Sequence, residues 1–146
     1  MLVALCIIMI VPHVSLAQPQ SVSTDDAIKV VENFLKERAD LINSKNFGKL
    51  RLQKDEAKSM ILFMEKAKGK ELISYSYDFE VTNTVLSQNQ VIIEGSLIQE
   101  FSWEGYSAPT GFRDDVEFVI DPTKKLHNIN LPESKMDPTE IIEKAK

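Results

Sequence analysis

The feature that most constrains how this chain can fold is a change of hydrophobic period at Gly69. Before this residue, apolar side chains recur every three or four positions, which is the pattern of one face of an α-helix. After it, apolar and polar side chains alternate, as they do on the two faces of a β-strand. The chain therefore predicts an α+β fold in which helices come first and pack on the sheet that follows.

Two helices and a short helical segment are predicted before the change of period. The segment "AIKVVENFLKERADLIN" begins after Ser23, which lies three residues before Asp26 as in a capping box. The segment "FGKLRLQ" predicts a short helix, and "KDEAKSMILFMEKAK" predicts a longer one that ends at Gly69. The charged residues of the first helix are expected to face solvent: Lys36, Glu37, Arg38 and Asp40.

Four alternating segments then predict four strands: "LISYSYDFEVTNTVL", "QVIIEGSLIQEFSWEGY", "GFRDDVEFVID" and "KLHNINL". Turn-forming residues separate these segments, and connections this short join antiparallel neighbours. The helices have to cover the apolar face of this meander, because that face would otherwise stay in water. On the first strand, the residues expected on the inner face are Ile73, Tyr75, Tyr77, Phe79, Val81 and Val85.

One carboxylate interrupts the apolar side of the third strand. In "GFRDDVEFVID", Asp114 shares a face with Phe112, Val116 and Phe118. Two interpretations stay open: the side chain lines a pocket, or the strand has reached water at this position. In a pocket, aromatic rings would exclude water, raise the pKa of Asp114 above the usual ~3.9 and suit it to general acid–base chemistry.

Hairpin pairing gathers further candidates at the same end of the inner face. Across the first turn it places Tyr75 opposite Phe101, and across the second it is expected to bring Trp103 near Phe112 and Asp114. Aromatic walls with a few polar groups are typical of a small-molecule pocket. The alternative is that the tyrosines are core residues whose hydroxyls reach the rim. The pocket candidates are Tyr75, Tyr77, Gln99, Phe101, Trp103, Phe112 and Asp114.

The first seventeen residues, "MLVALCIIMIVPHVSLA", have the pattern of a cleaved signal peptide. The apolar run from Leu2 to Val11 is shorter than the roughly 20 residues of a membrane-spanning helix. Ser15-Leu16-Ala17 fits a signal-peptidase site, although the segment lacks Lys and Arg, and a retained anchor is the alternative. Cleavage after Ala17 predicts a secreted protein without a stable membrane anchor. The predicted divisions are a signal peptide (1–17), a polar lead-in (18–23), one domain (24–132) and a C-terminal tail with a short helix (133–146).

The composition excludes several kinds of site. Cleavage removes the only cysteine, Cys6, and leaves one histidine, His127. Neither a histidine- or cysteine-based zinc site nor a cysteine nucleophile can be built from that set, and no metal or other cofactor is expected. A formal net charge of −5, with both signs mixed along the chain, argues against a nucleic-acid partner.

The order of elements resembles the nuclear transport factor two-like superfamily. The resemblance runs from Thr24 to Leu131 and is carried by "LINSKNFGKL" in the helical half and "VEFVIDPTKKLHNINL" at the close of the meander. It implies N-terminal helices packed in a curved, mainly antiparallel four-stranded sheet, a cone with a pocket at its open end. The cystatin fold is the rival, but "QNQVIIEG" does not match its Gln-x-Val-x-Gly hairpin.

Three classes of function follow, since fold alone does not decide between them. The first, which the sequence favours, is a secreted non-enzymatic binding or interaction domain for a small apolar molecule or a protein. The second, implied by the resemblance, is a cofactor-free isomerase or dehydratase that uses Asp114 with a tyrosine. The third is a homodimer through the outer sheet face, where Ile92 and Ile98 are few apolar residues for an obligate interface.

Overall fold

The computed structural model describes residues 22–51, 55–87 and 89–130, with only the backbone given for residues 127, 128 and 130. In chain order, the elements are helix α1 (Thr24–Asn43), a 3-10 helix (Phe47–Lys49), helix α2 (Glu56–Lys68), and strands β1 (Leu72–Ser87), β2 (Gln90–Trp103), β3 (Thr110–Ile120) and β4 (Leu126–Asn130). The predicted α+β class, with helices before an antiparallel sheet, is confirmed. The predicted signal peptide, most of the lead-in and the C-terminal tail lie outside the described residues.

Local chemistry fixes the ends of both helices. The Oγ of Ser23 caps α1 by accepting the backbone N–H of Asp26 at 3.1 Å, as predicted. Asp55 caps α2 in the same way, by accepting the N–H of Lys58. Gly69 ends α2 with a φ of 59°, a left-handed conformation that glycine adopts without strain, and this prediction is also confirmed. Neither of these helices has the length and apolar content needed to cross a membrane.

The strands pair as an antiparallel sheet in the order β1-β2-β3-β4. Tyr75 lies opposite Phe101, as the sequence predicts. The long strands β1, β2 and β3 make most of the pairs, and the short β4 pairs with β3 between Glu117 and Ile120. The helices cover the inner face. In the described part of the chain, neither core cluster includes a helix packed on the outer face.

Two bulges in β1 change which side chains face inward. The register of β1 on β2 shifts at position 73 and again at position 82. An extra residue in one strand moves the residues beyond it to the other face. Ile73 and Val85 are therefore 67% and 37% exposed, and the prediction that both face the core is wrong. Strict alternation in the sequence could not show where the extra residues fall.

Buried apolar side chains form two clusters along the inner face. The first packs the N-terminal half of α1 on the first half of β2 and the end of β3, and the second packs its C-terminal half and α2 on the start of β1 and the end of β2. Along α1 the boundary falls between Leu35 and Ala39, and along β2 it falls between Leu97 and Phe101. These two boundaries lie across from each other, so a single boundary between α1 and β2 divides the apolar core into two parts.

Gly95 lies in the middle of β2, opposite Val81 and next to the second bulge. The ring of Phe79 covers it and meets Phe118 edge-on, with ring centroids 5.7 Å apart. The absence of a side chain at Gly95 lets the aromatic ring lie directly on the strand, which is one of the positions where a strand uses glycine.

We expect Gly95→Ala to destabilise the domain by about 2 kcal/mol, the usual cost of overpacking. An added Cβ would collide with the Phe79 ring and lie 2.6 Å from the backbone oxygen of Glu80. Gly48→Ala is the control, because no atom lies within 4 Å of a Cβ added there. Urea unfolding of both variants measures the difference, and equal stability would contradict the close packing at Gly95.

Candidate functional site

An arginine, Arg38, is buried between α1 and the sheet, with 4% of its surface exposed. The prediction that it faces solvent is wrong. On α1, the buried positions include Val31, Leu35, Arg38 and Ile42, which are separated by four, three and four residues. Arg38 therefore occupies the helix stripe that faces the sheet, and its charge concealed that position in the sequence.

The guanidinium of Arg38 holds three other side chains together. Its Nε and Nη2 donate to the two carboxylate oxygens of Asp55, each at 2.8 Å. Nη2 also donates to Oε1 of Gln99 at 3.0 Å, and Nη1 donates to the hydroxyl of Tyr75. That hydroxyl in turn donates to the same oxygen of Gln99, at 3.0 Å. Arg38, Asp55, Tyr75 and Gln99 are called the Arg38 network below.

Burial makes the protonation state of this network definite. Asp55 and Gln99 are each 2% exposed and Tyr75 is 4% exposed. Burial lowers the pKa of the Arg38 guanidinium, but the hydrogen bonds and charge interactions with Asp55 and Tyr75 together outweigh burial, and the pKa ends above its ordinary value. Burial raises the pKa of the Tyr75 hydroxyl. The network therefore contains a charged arginine and a neutral tyrosine at physiological pH.

The Arg38 network lies at the boundary between the two apolar clusters. Arg38 falls between Leu35 and Ala39 on α1, and Gln99 falls between Leu97 and Phe101 on β2. Because Asp55 is also the N-cap of α2, the network ties both helices to the two longest strands. Its four side chains form a polar layer inside an otherwise apolar core.

The structure brings most of the predicted pocket residues together, but it packs them against each other. The Phe101 ring centroid lies 5.1 Å from that of Tyr75 and 5.9 Å from those of Trp103 and Phe112. Tyr75, Phe101 and Trp103 are all buried, so these rings fill the inner face. Tyr77 is half-buried on β1, near the exposed carboxylates of Glu32 and Asp40 on α1.

The third strand pairs in a register different from the predicted one. Asp114 lies opposite Leu97, and the last pair of β2 with β3 joins Phe101 to Thr110. Trp103 extends past that pair, so the prediction that it lies near Asp114 is wrong. The reason is the connection at residues 104–109, which is a wide loop rather than a tight turn and shifts β3 along β2.

Asp114 nevertheless meets the network through Gln99. Burial raises the pKa of the Asp114 carboxyl, a hydrogen bond with Gln99 lowers it, and the charge of Asp115 raises it, so that the pKa is raised overall. The sequence-based hypothesis expects this direction. One oxygen, Oδ2, is buried without a hydrogen-bond partner in the described part of the chain. An unpaired buried carboxylate oxygen costs stability when it is charged.

Glu56, the first residue of α2, is a second carboxyl group of this kind. Burial raises its pKa to about 6, with further contributions from the negative charges of Asp114 and Asp55. The positive charge of Arg38 lowers it in part. Its Oε2 is also buried and has no partner among the described residues. Glu56 and Asp114, called the acid pair below, are therefore coupled electrostatically at the border of the Arg38 network.

A narrow cleft opens beside Arg38 and Asp55. Its volume is about 20 Å³, which is room for about one water molecule. In residues 22–51, 55–87 and 89–130, no three His, Cys, Asp or Glu side chains are grouped so that they could hold a metal ion. The residues that line the cleft are Phe34, Glu37, Arg38, Leu41, Lys49, Leu50, Arg51 and Asp55.

Sequence reasoning missed Arg38, Asp55 and Glu56. A signal existed for the first two: Arg38 continues the helical stripe of Val31 and Leu35, and Asp55 directly precedes a helical segment, where an aspartate is a good N-cap. No comparable signal existed for Glu56, because only the packing of α2 on the sheet brings it near Asp114.

Comparison of the chain with protein-family models, with curated proteins and with solved structures finds no match in any of the three. What the chain does therefore has to be inferred from the Arg38 network, the acid pair and the surrounding surface.

We expect Arg38→Met to lower the free energy of unfolding by about 3–5 kcal/mol, because it leaves the Asp55 carboxylate buried without its partner. The double variant Arg38→Met/Asp55→Leu should be more stable than Arg38→Met alone, since the orphaned charge is gone. Urea unfolding measures both variants. Lys45→Gln is the control: it breaks the exposed ion pair with Glu65 and should cost less than about 1 kcal/mol.

The acid pair predicts that stability falls as pH rises. The folded-state pKa of Glu56, about 6, exceeds the ordinary 4.5, so its stabilising contribution is full below pH 4.5 and is lost as pH rises through 6. For a fully buried group, this pKa shift would change the free energy of unfolding by about 2 kcal/mol. Glu56 is half-buried, and solvent screening reduces the change to about 1 kcal/mol.

Glu56→Gln should remove that loss, so the variant should gain about 1 kcal/mol on the wild type between pH 4.5 and 7. Unfolding experiments at several pH values measure this difference. Glu104→Gln, which removes a carboxylate at an exposed position after β2, is the control for the same comparison. A gain of the same size in Glu104→Gln would contradict the assignment to Glu56.

Proposed function

We propose that this chain is a secreted, non-enzymatic interaction domain and that its partner is a polypeptide. Secretion is supported by the apolar run at the N-terminus and by Ser15-Leu16-Ala17. A nuclear transport factor two-like cone with a four-stranded sheet is part of this proposal. It is supported by the element order, by the bulges that bend β1 and by the pairing of β4 with β3.

One observation carries the non-enzymatic part of the proposal: the Arg38 network occupies the hydroxyl of Tyr75, the buried tyrosine that an enzyme of this kind could pair with Asp114. The hydroxyl of Tyr75 is bound by Arg38 and Gln99 and is shielded from solvent. A hydroxyl held in this way cannot approach a substrate without breaking two buried hydrogen bonds, and each broken bond costs about 1–3 kcal/mol. The tyrosine therefore serves the core.

The packing of the inner face favours a polypeptide over a small apolar molecule. Drug-sized ligands occupy cavities of roughly 300–1,000 Å³ that bury most of their surface. The cleft beside Arg38 has about 20 Å³, and the rings of Phe101 and Trp103 fill the neighbouring part of the face. The larger grooves, of about 410–440 Å³, lie on the open surface and would leave much of such a ligand in water, whereas a polypeptide partner needs no enclosed cavity.

The second candidate is the cofactor-free isomerase or dehydratase. The buried Oδ2 of Asp114, its raised pKa and its coupling to Glu56 support this candidate, because a general acid or base needs a carboxyl group with a shifted pKa. In such an enzyme Asp114 would transfer the proton, and Glu56 rather than Tyr75 would be the second polar group.

Native mass spectrometry of the exported protein tests both candidates. We expect a chain that begins at Gln18 and carries no retained small molecule. Asp114→Asn should export equally well and melt at the same temperature or slightly higher, because it removes a partly desolvated carboxylate while leaving a group that can bond Gln99.

A small molecule retained at one copy per chain in the wild type, and lost in a folded Asp114→Asn variant, would support the enzyme instead. A chain that still begins at Met1 would contradict secretion by signal cleavage. The control variant is Asp115→Asn, which changes the neighbouring exposed carboxylate on the opposite face of β3.

A further inference from the structure

β1 forms one edge of the sheet, with β2 on its other side. In an antiparallel ladder, the backbone N–H and C=O of alternate residues point either to the neighbouring strand or away from it. The N–H and C=O of Tyr75 are bound by a side chain of α1, so they point away from β2. By the same alternation, the backbone groups of Tyr77, Phe79 and Val81 also point out of the sheet. Residues 77–81 are called the β1 edge below.

The side chain of Asn43 imitates a neighbouring strand at the start of this edge. Its Oδ1 accepts the N–H of Tyr75 at 2.7 Å, and its Nδ2 donates to the carbonyl of Tyr75 at 2.9 Å. No such partner among the described residues reaches the outward groups of the β1 edge. The ladder is therefore closed at Tyr75 and open immediately beyond it.

A groove runs between α1 and the β1 edge. Its volume is about 440 Å³, and it is bordered by Glu32, Leu35 and Lys36 of α1 and by Tyr77 and Phe79 of β1. The partly buried rings of Tyr77 and Phe79 form its apolar floor. A strand added to the edge would place every second side chain in this groove and the others beside the outer face.

The charges around the groove select the occupant. Of the residues that border it, Glu32 and Asp78 are carboxylates and Lys36 is an ammonium group, which gives a net charge of −1. The exposed carboxylates of Asp40 and Glu80 lie beside them on α1 and β1 and add to the negative charge. Burial raises the pKa of Tyr77, and the charges of Glu32 and Asp40 raise it further, which shows that both carboxylates act at this site. A basic segment complements this strip.

A second copy of the chain fits the same edge poorly. Two β1 strands paired about a two-fold axis at Phe79 would bring Asp78 of one copy opposite Glu80 of the other. Like charges directly opposite each other destabilise a strand pair. The same two carboxylates would instead face Lys or Arg side chains of a basic strand, and opposite charges in that position stabilise the pair.

We propose that the β1 edge binds an extended basic peptide by strand addition, with apolar side chains in the groove beside α1 and lysine or arginine beside Asp78 and Glu80. This inference rests on the proposed interaction function and names its surface. The ladder would continue from the position that Asn43 occupies at Tyr75, so the peptide pairs with Tyr77, Phe79 and Val81.

The test uses the peptide acetyl-Lys-Val-Lys-Val-Lys-Val-Lys-amide and the secreted chain. At saturation, hydrogen exchange of the Tyr77 and Phe79 amides, followed by NMR, should slow at least about tenfold because both N–H groups enter a ladder. The Val119 amide on β3 should not change. Two control peptides keep the same charge: one is N-methylated at the valines and the other at the lysines. Only one of these two sets of N–H groups faces β1 in an added strand, so one of the two peptides should lose binding.

Charge variants separate this site from general attraction. Asp78→Lys/Glu80→Lys should weaken binding at least about tenfold at 0.15 M salt. Asp115→Lys/Glu117→Lys makes the same change of charge on β3, two strands away, and should weaken binding less than about threefold. Circular dichroism and melting curves establish that both variants are folded.

Three results would overturn the proposal. The first is equal weakening in the two charge variants, which means that the peptide is held by net charge alone. The second is binding without slower exchange at Tyr77 and Phe79. The third is a dimer of the chain alone that protects the same amides, which makes a second copy the occupant. A retained small molecule in the mass-spectrometry experiment would overturn the proposed function and leave these peptide results unaffected.

Discussion

The buried ion pair between Arg38 and Asp55 is the interaction on which the arrangement of helices over the sheet depends. It joins α1 to the N-cap of α2, and through Tyr75 and Gln99 it reaches β1 and β2. A charge pair with less than a twentieth of its surface exposed requires nearly complete hydrogen bonding, because each unmet bond costs free energy. The pair therefore fixes the positions of four elements relative to one another.

The acid pair follows from the same arrangement. Asp55 has to lie beside Arg38, and this brings Glu56, the next residue of α2, towards Asp114 on β3. Burial raises the pKa of Glu56, and the negative charges of Asp114 and Asp55 raise it further against the positive charge of Arg38. Burial is also the main cause of the raised pKa of Asp114. Partly desolvated carboxyl groups of this kind are an energetic cost that the core tolerates, and they are the places where an enzymatic role would have to arise.

The surface divides into regions that differ in what they can bind. The inner face is filled by aromatic rings and the Arg38 network, so its chemistry is enclosed. On the exterior, the β1 edge combines backbone groups without a partner among the described residues, a groove with an aromatic floor, and negative charge. A domain with a closed core and an open strand edge is suited to contact with another polypeptide, since backbone pairing needs no cavity.

The sequence by itself determined the α+β class, the Ser23 cap, the end of α2 at Gly69 and the pairing of Tyr75 with Phe101, because these depend on local period and turn chemistry. Only the tertiary structure decided that Arg38 is buried, that Ile73 and Val85 turn outward and that Asp114 meets Gln99 rather than Trp103. Periodicity records which face a residue occupies on an ideal element. Bulges, loop width and ion pairing between distant segments are set by how the elements pack, and the sequence pattern carries no local record of them.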